Sequence, residues 1–267
     1  MDTGVPYLSF KALEDTGMVV NGFSTRMGGA STGKFATMNF SYRRQDDPAH
    51  VLENFTRMAK ALDVRRDRMV VSWQTHTTNV RLVTEEDAGK GVIRERDYRD
   101  VDGLICGIPG ITLVTFYADC VPLYFVDTKN RAIGLSHSGW RGTVNRMGQV
   151  TLNAMKEAFG TRSEDVTACI GPSICRDCFE VGEEVAEAFQ EAFASKYWDN
   201  LYQPNGKPGK YQLDLWEANR IILKEAGIPS RQITTTNLCT KCNSQYLFSH
   251  RVCGEERGNL AAFLGLR

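Results

Sequence analysis

No excess charge of either sign runs through these 267 residues, in which 32 Lys and Arg balance 32 Asp and Glu. A protein that binds duplex nucleic acid usually carries a basic surplus, so no nucleic-acid partner is expected. No apolar run approaches the roughly 18 residues of a membrane-spanning helix, so no membrane partner is expected either. The start, Met1-Asp2-Thr3-Gly4-Val5-Pro6, lacks a basic stretch leading into an apolar one, and no signal peptide is expected. The eight cysteines therefore read as free thiols or metal ligands, and the expected location is cytoplasmic. Internal repeats and low-complexity linkers are also missing. What is left is an ordinary globular composition, 42% hydrophobic and 24% charged. Histidine is scarce: the chain has four, which makes the place of each informative.

Hydrophobic spacing supplies the elements. Val51, Phe55, Met58, Ala59 and Leu62 recur at helical intervals and predict an amphipathic helix over about 49–63. Strands are predicted at 69–72, 79–84, 111–117, 166–170 and 233–236, with a further one around 247–250. Residues 121–126 and 132–136 predict a hairpin about the turn that begins Asp127-Thr128-Lys129-Asn130. Helices are predicted at 143–159, 183–194 and 213–226, the last closed by Gly227 and Pro229. Residues 199–210, with two prolines and two glycines, read as a loop. Strands come in adjacent groups as well as between helices. That favours an α/β class of mixed (α+β) character, a large mixed β-sheet flanked by helices, over a regular Rossmann alternation.

Three residues carry the leading chemistry. Trp73-Gln74-Thr75-His76 and His137-Ser138-Gly139-Trp140-Arg141-Gly142 place a histidine beside a turn-rich segment, and Tyr117-Ala118-Asp119-Cys120 closes a third apolar run. Two imidazoles and a thiolate are donor types that bind zinc and leave a fourth position open. His76, Cys120 and His137 match no short metal motif, but each follows a predicted strand, where a rigid sheet can hold ligands. The alternative on these residues alone is a buried structural cysteine with two hydrogen-bonded histidines. The segment from His137 to Thr143 also offers two glycines, the planar fork of Arg141 and the start of a helix, a combination that suits an anion. A plain strand-to-helix connection with a packed Trp140 is its alternative.

Other motifs fall short. Gly28-Gly29-Ala30-Ser31-Thr32-Gly33-Lys34 matches most of a phosphate-binding loop, but Phe35 stands where the magnesium-binding hydroxyl belongs and no helical pattern follows. A nucleoside triphosphatase is excluded, although a glycine-rich loop beside Arg26 can still close over a ligand. Gly171-Pro172-Ser173-Ile174-Cys175 lacks the last glycine of a nucleophile elbow. Cys175/Cys178 and Cys239/Cys242 form two Cys-x-x-Cys pairs separated by far more than a zinc finger allows. Structural thiols are the first reading, with a second zinc site or a redox pair as alternatives.

Taken in order, Gln74-Thr75-His76, Ala118-Asp119-Cys120-Val121-Pro122, His137 to Thr143 and Gly171-Pro172-Ser173-Ile174 resemble the YfiH-like family, long labelled multicopper polyphenol oxidase or laccase-domain proteins. Ser24-Thr25-Arg26-Met27-Gly28-Gly29, Asn39, Asn54, Cys239-Thr240-Lys241-Cys242 and Phe248-Ser249-His250-Arg251 fit as well, so the likeness spans most of the chain. The resemblance implies one catalytic domain over 1–267 with a fold like that of cytotoxic necrotizing factor. It implies a metal site on His76, Cys120 and His137. It implies zinc-dependent phosphorolysis of adenosine, inosine, guanosine and methylthioadenosine, with deamination of adenosine. Asp119 is then the candidate proton shuttle, and Arg26, Asn39, Arg141 and Arg251 are the candidate substrate and phosphate contacts. One departure stands out: relatives often carry Ser-Tyr-Arg-Arg where this chain has Ser249-His250-Arg251-Val252. Copper-dependent phenol oxidation is the older alternative, and copper is the alternative metal, but four histidines are few for a multicopper centre. A Cys-His hydrolase with Cys120 as nucleophile is another alternative. A closed structural site completed by His250 or Cys253 is the non-enzyme reading. A monomer and a homodimer are both open.

Overall fold

Strand parity builds the architecture. In the computed structural model, which describes residues 4–267, Leu260, Ala262, Leu264 and Leu266 of the last strand join one apolar cluster while Ala261 and Phe263 join another. Successive side chains of a strand point to opposite faces, so this strand is buried on both sides. It is the centre of a five-stranded sheet ordered β1 (Tyr7–Leu8), β2 (Val19–Ser24), β14 (Leu260–Leu266), β6 (Thr112–Tyr117) and β3 (Met69–Val71). A six-stranded sheet is ordered β13 (Ile233–Thr235), β9 (Val166–Ile170), β7 (Val121–Asp127), β8 (Ala132–Ser138), β5 (Gly103–Cys106) and β4 (Val80–Leu82). Both sheets mix parallel and antiparallel pairs. A small third sheet joins β10 (Glu180–Gly182), β12 (Lys210–Leu213) and β11 (Tyr202–Pro204).

The two main sheets face each other across an inner layer that holds Phe23, Leu113, Tyr117, Tyr124, Ile133, Leu135 and Leu264. Two buried hydroxyls stitch that layer. Tyr124 donates to Gly22 O at 3.0 Å and Tyr117 donates to Ser136 O at 3.0 Å, each reaching from one sheet to the other. The outer face of the five-stranded sheet is covered by α2 (Pro48–Leu62) through Val51, Phe55, Met58 and Leu62. Asp47 caps this helix by accepting from Ala49 N, and Pro48 sits in the first turn where no amide is needed. The outer face of the six-stranded sheet is covered by α4 (Met147–Phe159) and α7 (Leu215–Glu225), while α5 (Glu183–Ala192) packs against the small third sheet. Short helices complete the chain: α1 (Lys11–Glu14), α3 (Trp140–Val144), α6 (Trp198–Leu201) and α8 (His250–Cys253). Among the described residues, no helix is long and apolar enough to cross a membrane.

The mixed α/β class is as expected, and the hairpin and the helix over 49–63 lie within a residue or two of their predicted places. The large sheet is instead two facing sheets, because the chain changes sheet between β3 and β4, between β5 and β6, between β6 and β7, and between β13 and β14. Periodicity marks strands but not the layer each one joins. The helix predicted at 143–159 breaks at Arg146, whose φ of 58° is left-handed. Residues 199–210 are a helical turn and a hairpin rather than a bare loop. Around 247–250 Leu247 and Phe248 bury themselves from a turn, not a strand.

Candidate metal centre and its pocket

The same parity aims His137 inward. It follows Ile133 and Leu135 by twos along β8, so its ring faces the layer between the sheets, at the end where that layer opens. Cys120 lies in the short link from β6 to β7, and His76 lies in the link from β3 to β4. Both links are tight: His76 has φ 66° and Asp119 has φ 87°, values uncommon for side-chain-bearing residues and typical of constrained functional loops. The donor atoms of His76, Cys120 and His137 all lie within 4.8 Å of one another. Among the described residues no fourth His, Cys, Asp or Glu joins them. His250 instead pairs with Gly254 O, and Cys253 is exposed. Gly139 lets the chain pass close by: a Cβ there would stand 3.0 Å from Cys120 Sγ and 3.2 Å from His76 Cδ2.

Asp102, fully buried at the start of β5, ties the ligands together. One oxygen pairs with His137 Nδ1 at 2.8 Å and accepts from His76 N at 3.1 Å. The other accepts from Thr75 N, Thr77 N and Thr77 Oγ1, each at 3.0 Å. A proton on Nδ1 of His137 shared with Asp102 leaves Nε2 for a metal, the usual carboxylate–histidine support of a metal ligand. Burial opposes ionisation of Cys120, but the neighbouring His137 charge and bonds from both histidines overcome it and bring the thiol down to about 6. Burial also opposes the charge on His137, but the Cys120 thiolate and Asp102 outweigh it and raise the imidazole to about 9. Asp102 is destabilised by burial yet is held below its usual value, chiefly by the bond to His137. A thiolate beside two imidazoles, oriented from behind and free of a fourth protein donor, is a donor set that suits a zinc-like ion with an open position.

That position faces a cavity of about 440 Å³. Tyr42, Trp73, Phe116 and Tyr117 give it aromatic walls. Gln74 fixes one wall by bonding Phe116 N and Phe116 O, both at 2.7 Å, as a strand neighbour would. The Trp73 ring carries the guanidinium of Arg96 at 4.5 Å, with Arg99 and Arg43 slightly further away. On the same lining Arg44, ion-paired with Glu255, and Arg257 converge on Asn259 Oδ1, at 3.3 and 2.5 Å. Arg257 is buried, and its Nε has no hydrogen-bond partner among the described residues. Burial, aided by Arg44, brings this guanidinium down to about 10, which still leaves it charged at neutral pH.

The predicted contacts divide. His76, Cys120 and His137 come together. Asp119 does not turn to the metal side as a shuttle: its carboxylate accepts from Thr240 Oγ1 at 2.6 Å and from Arg251 N at 2.7 Å. Arg26 spends its guanidinium on Ala36 O and Ser244 O and lies over Phe248, so it holds the glycine-rich loop and not phosphate. Asn39 is fully buried and acts from behind the pocket, accepting from Ser41 N and Asn259 N. Arg141 is exposed over Trp140, and Arg251 points to Glu180 O and Phe179; neither lines the cavity. Residue patterns missed Asp102, Arg44 and Arg257. Asp102 left one signal, its place at the head of the apolar run Leu104-Ile105-Cys106; Arg257 sits in a mixed-charge stretch that leaves none.

Comparison with known proteins fits this geometry. Residues 20–267 match the family model described as multi-copper polyphenol oxidoreductase laccase. A purine nucleoside phosphorylase of Bacteroides thetaiotaomicron is 36% identical, covering 95% of this chain and 93% of its own. The adenosine deaminase RL5 of an unknown prokaryotic organism is 34% identical, covering 90% and 91%. The crystal structure of the Bacillus licheniformis hypothetical protein YfiH superposes with a TM-score of 0.89 at 33% identity, covering 93% of each chain. The chain belongs to this laccase-like, YfiH family, and it is an enzyme of the kind its relatives' names describe.

Proposed function

We propose that the chain is a zinc-dependent purine nucleoside phosphorylase that also deaminates adenosine. The observation that carries the reading is the open His76–Cys120–His137 trio facing an aromatic cavity whose lining also brings two arginines together on Asn259. The names of the relatives support the same substrates. Phosphorolysis joins phosphate to C1′ of the ribose and releases the purine with the electron pair of the glycosidic bond. Deamination replaces the C6 amino group by water-derived oxygen and releases ammonia.

The chain's residues take distinct parts. Tyr42, Trp73 and Phe116 offer faces on which the purine stacks. Arg44 and Arg257 hold the phosphate, since both line the cavity and guanidinium matches phosphate oxygens bidentately. Asp102 fixes the tautomer and direction of His137 and the loop of His76. His76, Cys120 and His137 would hold the zinc ion, which would supply Lewis acidity beside the substrate. Cys120 serves as ligand, so it is not available as a nucleophile while the metal is bound. The test is incubation with adenosine, with and without phosphate, and identification of products by mass. Adenine with ribose 1-phosphate, and inosine without phosphate, are expected. Unchanged adenosine from zinc-loaded protein in both arms sinks the proposal, as does full turnover by Cys120→Ala.

The Cys120–His137–Asp102 relay favours one second reading, a thiol hydrolase in the metal-free protein. Iodoacetamide decides it: zinc that blocks alkylation of Cys120 supports the metal site, and equal alkylation with and without zinc supports the hydrolase.

A further inference from the structure

Four cysteines on the same end of the two-sheet sandwich play no part in the pocket. Cys175 and Cys178 flank a single helical turn beyond the end of β9, and Cys239 and Cys242 flank a turn beyond the end of β13. The parallel pairing of β9 with β13 continues through a bridge between Ser173 and Cys239, which sets the two turns side by side. Sequence separation is thereby cancelled. The four sulfurs all lie within 4.8 Å of one another, and none is in a disulfide. Around one ion with bonds of about 2.3 Å, tetrahedral sulfurs stand about 3.8 Å apart, close to this arrangement. An iron–sulfur cluster would push them further apart, because its inorganic core lies between them.

The sulfur environment points the same way. Cys239 Sγ accepts from Cys175 N at 3.3 Å and from Cys242 N at 3.4 Å, amides from both turns aimed at one sulfur. Such donors favour a thiolate over a thiol. One sulfur contact, Cys178 with Cys242 at 3.5 Å, joins opposite turns rather than one Cys-x-x-Cys, which is unlike a redox pair. Both turns also grip Asp119, next to Cys120: Ile174 N donates to its carbonyl at 3.0 Å and Thr240 Oγ1 donates to its carboxylate at 2.6 Å.

We propose that Cys175, Cys178, Cys239 and Cys242 form a second, closed metal centre that holds one structural zinc ion and buttresses the loop of Cys120. The centre stands on its own geometry, independent of the reaction proposed above. Protein expressed with zinc and desalted should hold two zinc ions per chain by elemental analysis. Cys239→Ser with Cys242→Ser should lose one equivalent, and Cys120→Ala should keep one. In case the double variant fails to fold, cobalt replaces zinc in Cys120→Ala. Strong thiolate-to-cobalt absorption is expected, since four thiolates remain together. Complete loss of metal and of that absorption in Cys120→Ala overturns the proposal. So does a disulfide among the four cysteines, found by mass spectrometry of protein alkylated without reduction.

Discussion

Asp102 bonds both the loop of His76 and the ring of His137 on β8, so its chemistry is tested by a change that keeps its shape. Asp102→Asn removes the charge and turns one acceptor into a donor that faces two backbone amides. Loss of such a supporting carboxylate weakens metal affinity or activity about 10- to 100-fold. Both zinc affinity and kcat should fall in that range, and unchanged affinity would remove Asp102 from the site. Arg257 makes a different prediction. Hydrogen bonds to a charged group are worth about 1.5–3 kcal/mol, or roughly 10- to 100-fold. Arg257→Ala should raise the KM for phosphate by that factor while phosphate-free deamination changes little, as steady-state kinetics in both assays will read. The ligands were legible in the sequence because imidazole and thiolate are rare enough to notice. Arg257 was not, since arginines are common and only burial distinguishes this one from Arg26, whose guanidinium is spent on carbonyls.

The link from β8 into α3 brings Gly139 against two ligands. Its φ of −74° suits any residue, so its glycine serves space and not backbone freedom. Gly139→Ala should leave the melting temperature nearly unchanged. The Cβ pressed on Cys120 and His76 should cost roughly tenfold or more in kcat/KM, since small misplacements at a reacting centre are expensive. A large fall in melting temperature instead would make the glycine a folding requirement. Elements with strong periodicity, such as α2 and the β7–β8 hairpin, were legible for the same reason that they are stable: one face is continuously apolar. The break at Arg146 was hidden, because the hydrophobic spacing runs on through it; in the fold its guanidinium bonds Gln149 within α4 and Glu225 on α7.

At the scale of the whole molecule, one buried ionic cluster contributes to behaviour in acid. Asp87 is buried beside Arg81 and Lys90, at 2.8 and 2.9 Å. Burial alone would raise its pKa, but these two cations and Thr84 N bring it down to about 2. A depressed carboxylate stabilises the fold above its ordinary pKa, and that contribution is lost as pH falls from about 4 toward 2. The size is about 2 kcal/mol. Asp87→Asn should lose about this much at neutral pH and should flatten the acid limb of stability. Denaturant melts from pH 6 to 2 will show it, and an unchanged slope would assign the acid limb to other groups. The class of fold was legible from strands and helices, but the pairing of sheets was not. Three of the four places where the chain crosses between the two main sheets carry site residues: His76, Cys120, and the segment from Cys239 to Asn259.

That routing makes the inner layer a spacer that gauges the ligands from a distance. His137 is anchored in one sheet, while the links of His76 and Cys120 are each pulled by both. The gap they span is set by the width of the packing between Phe23, Tyr117, Tyr124 and Leu135. Thinning that packing narrows or skews the bite on the metal without touching a ligand, so loss of activity in this fold can originate where no substrate ever reaches.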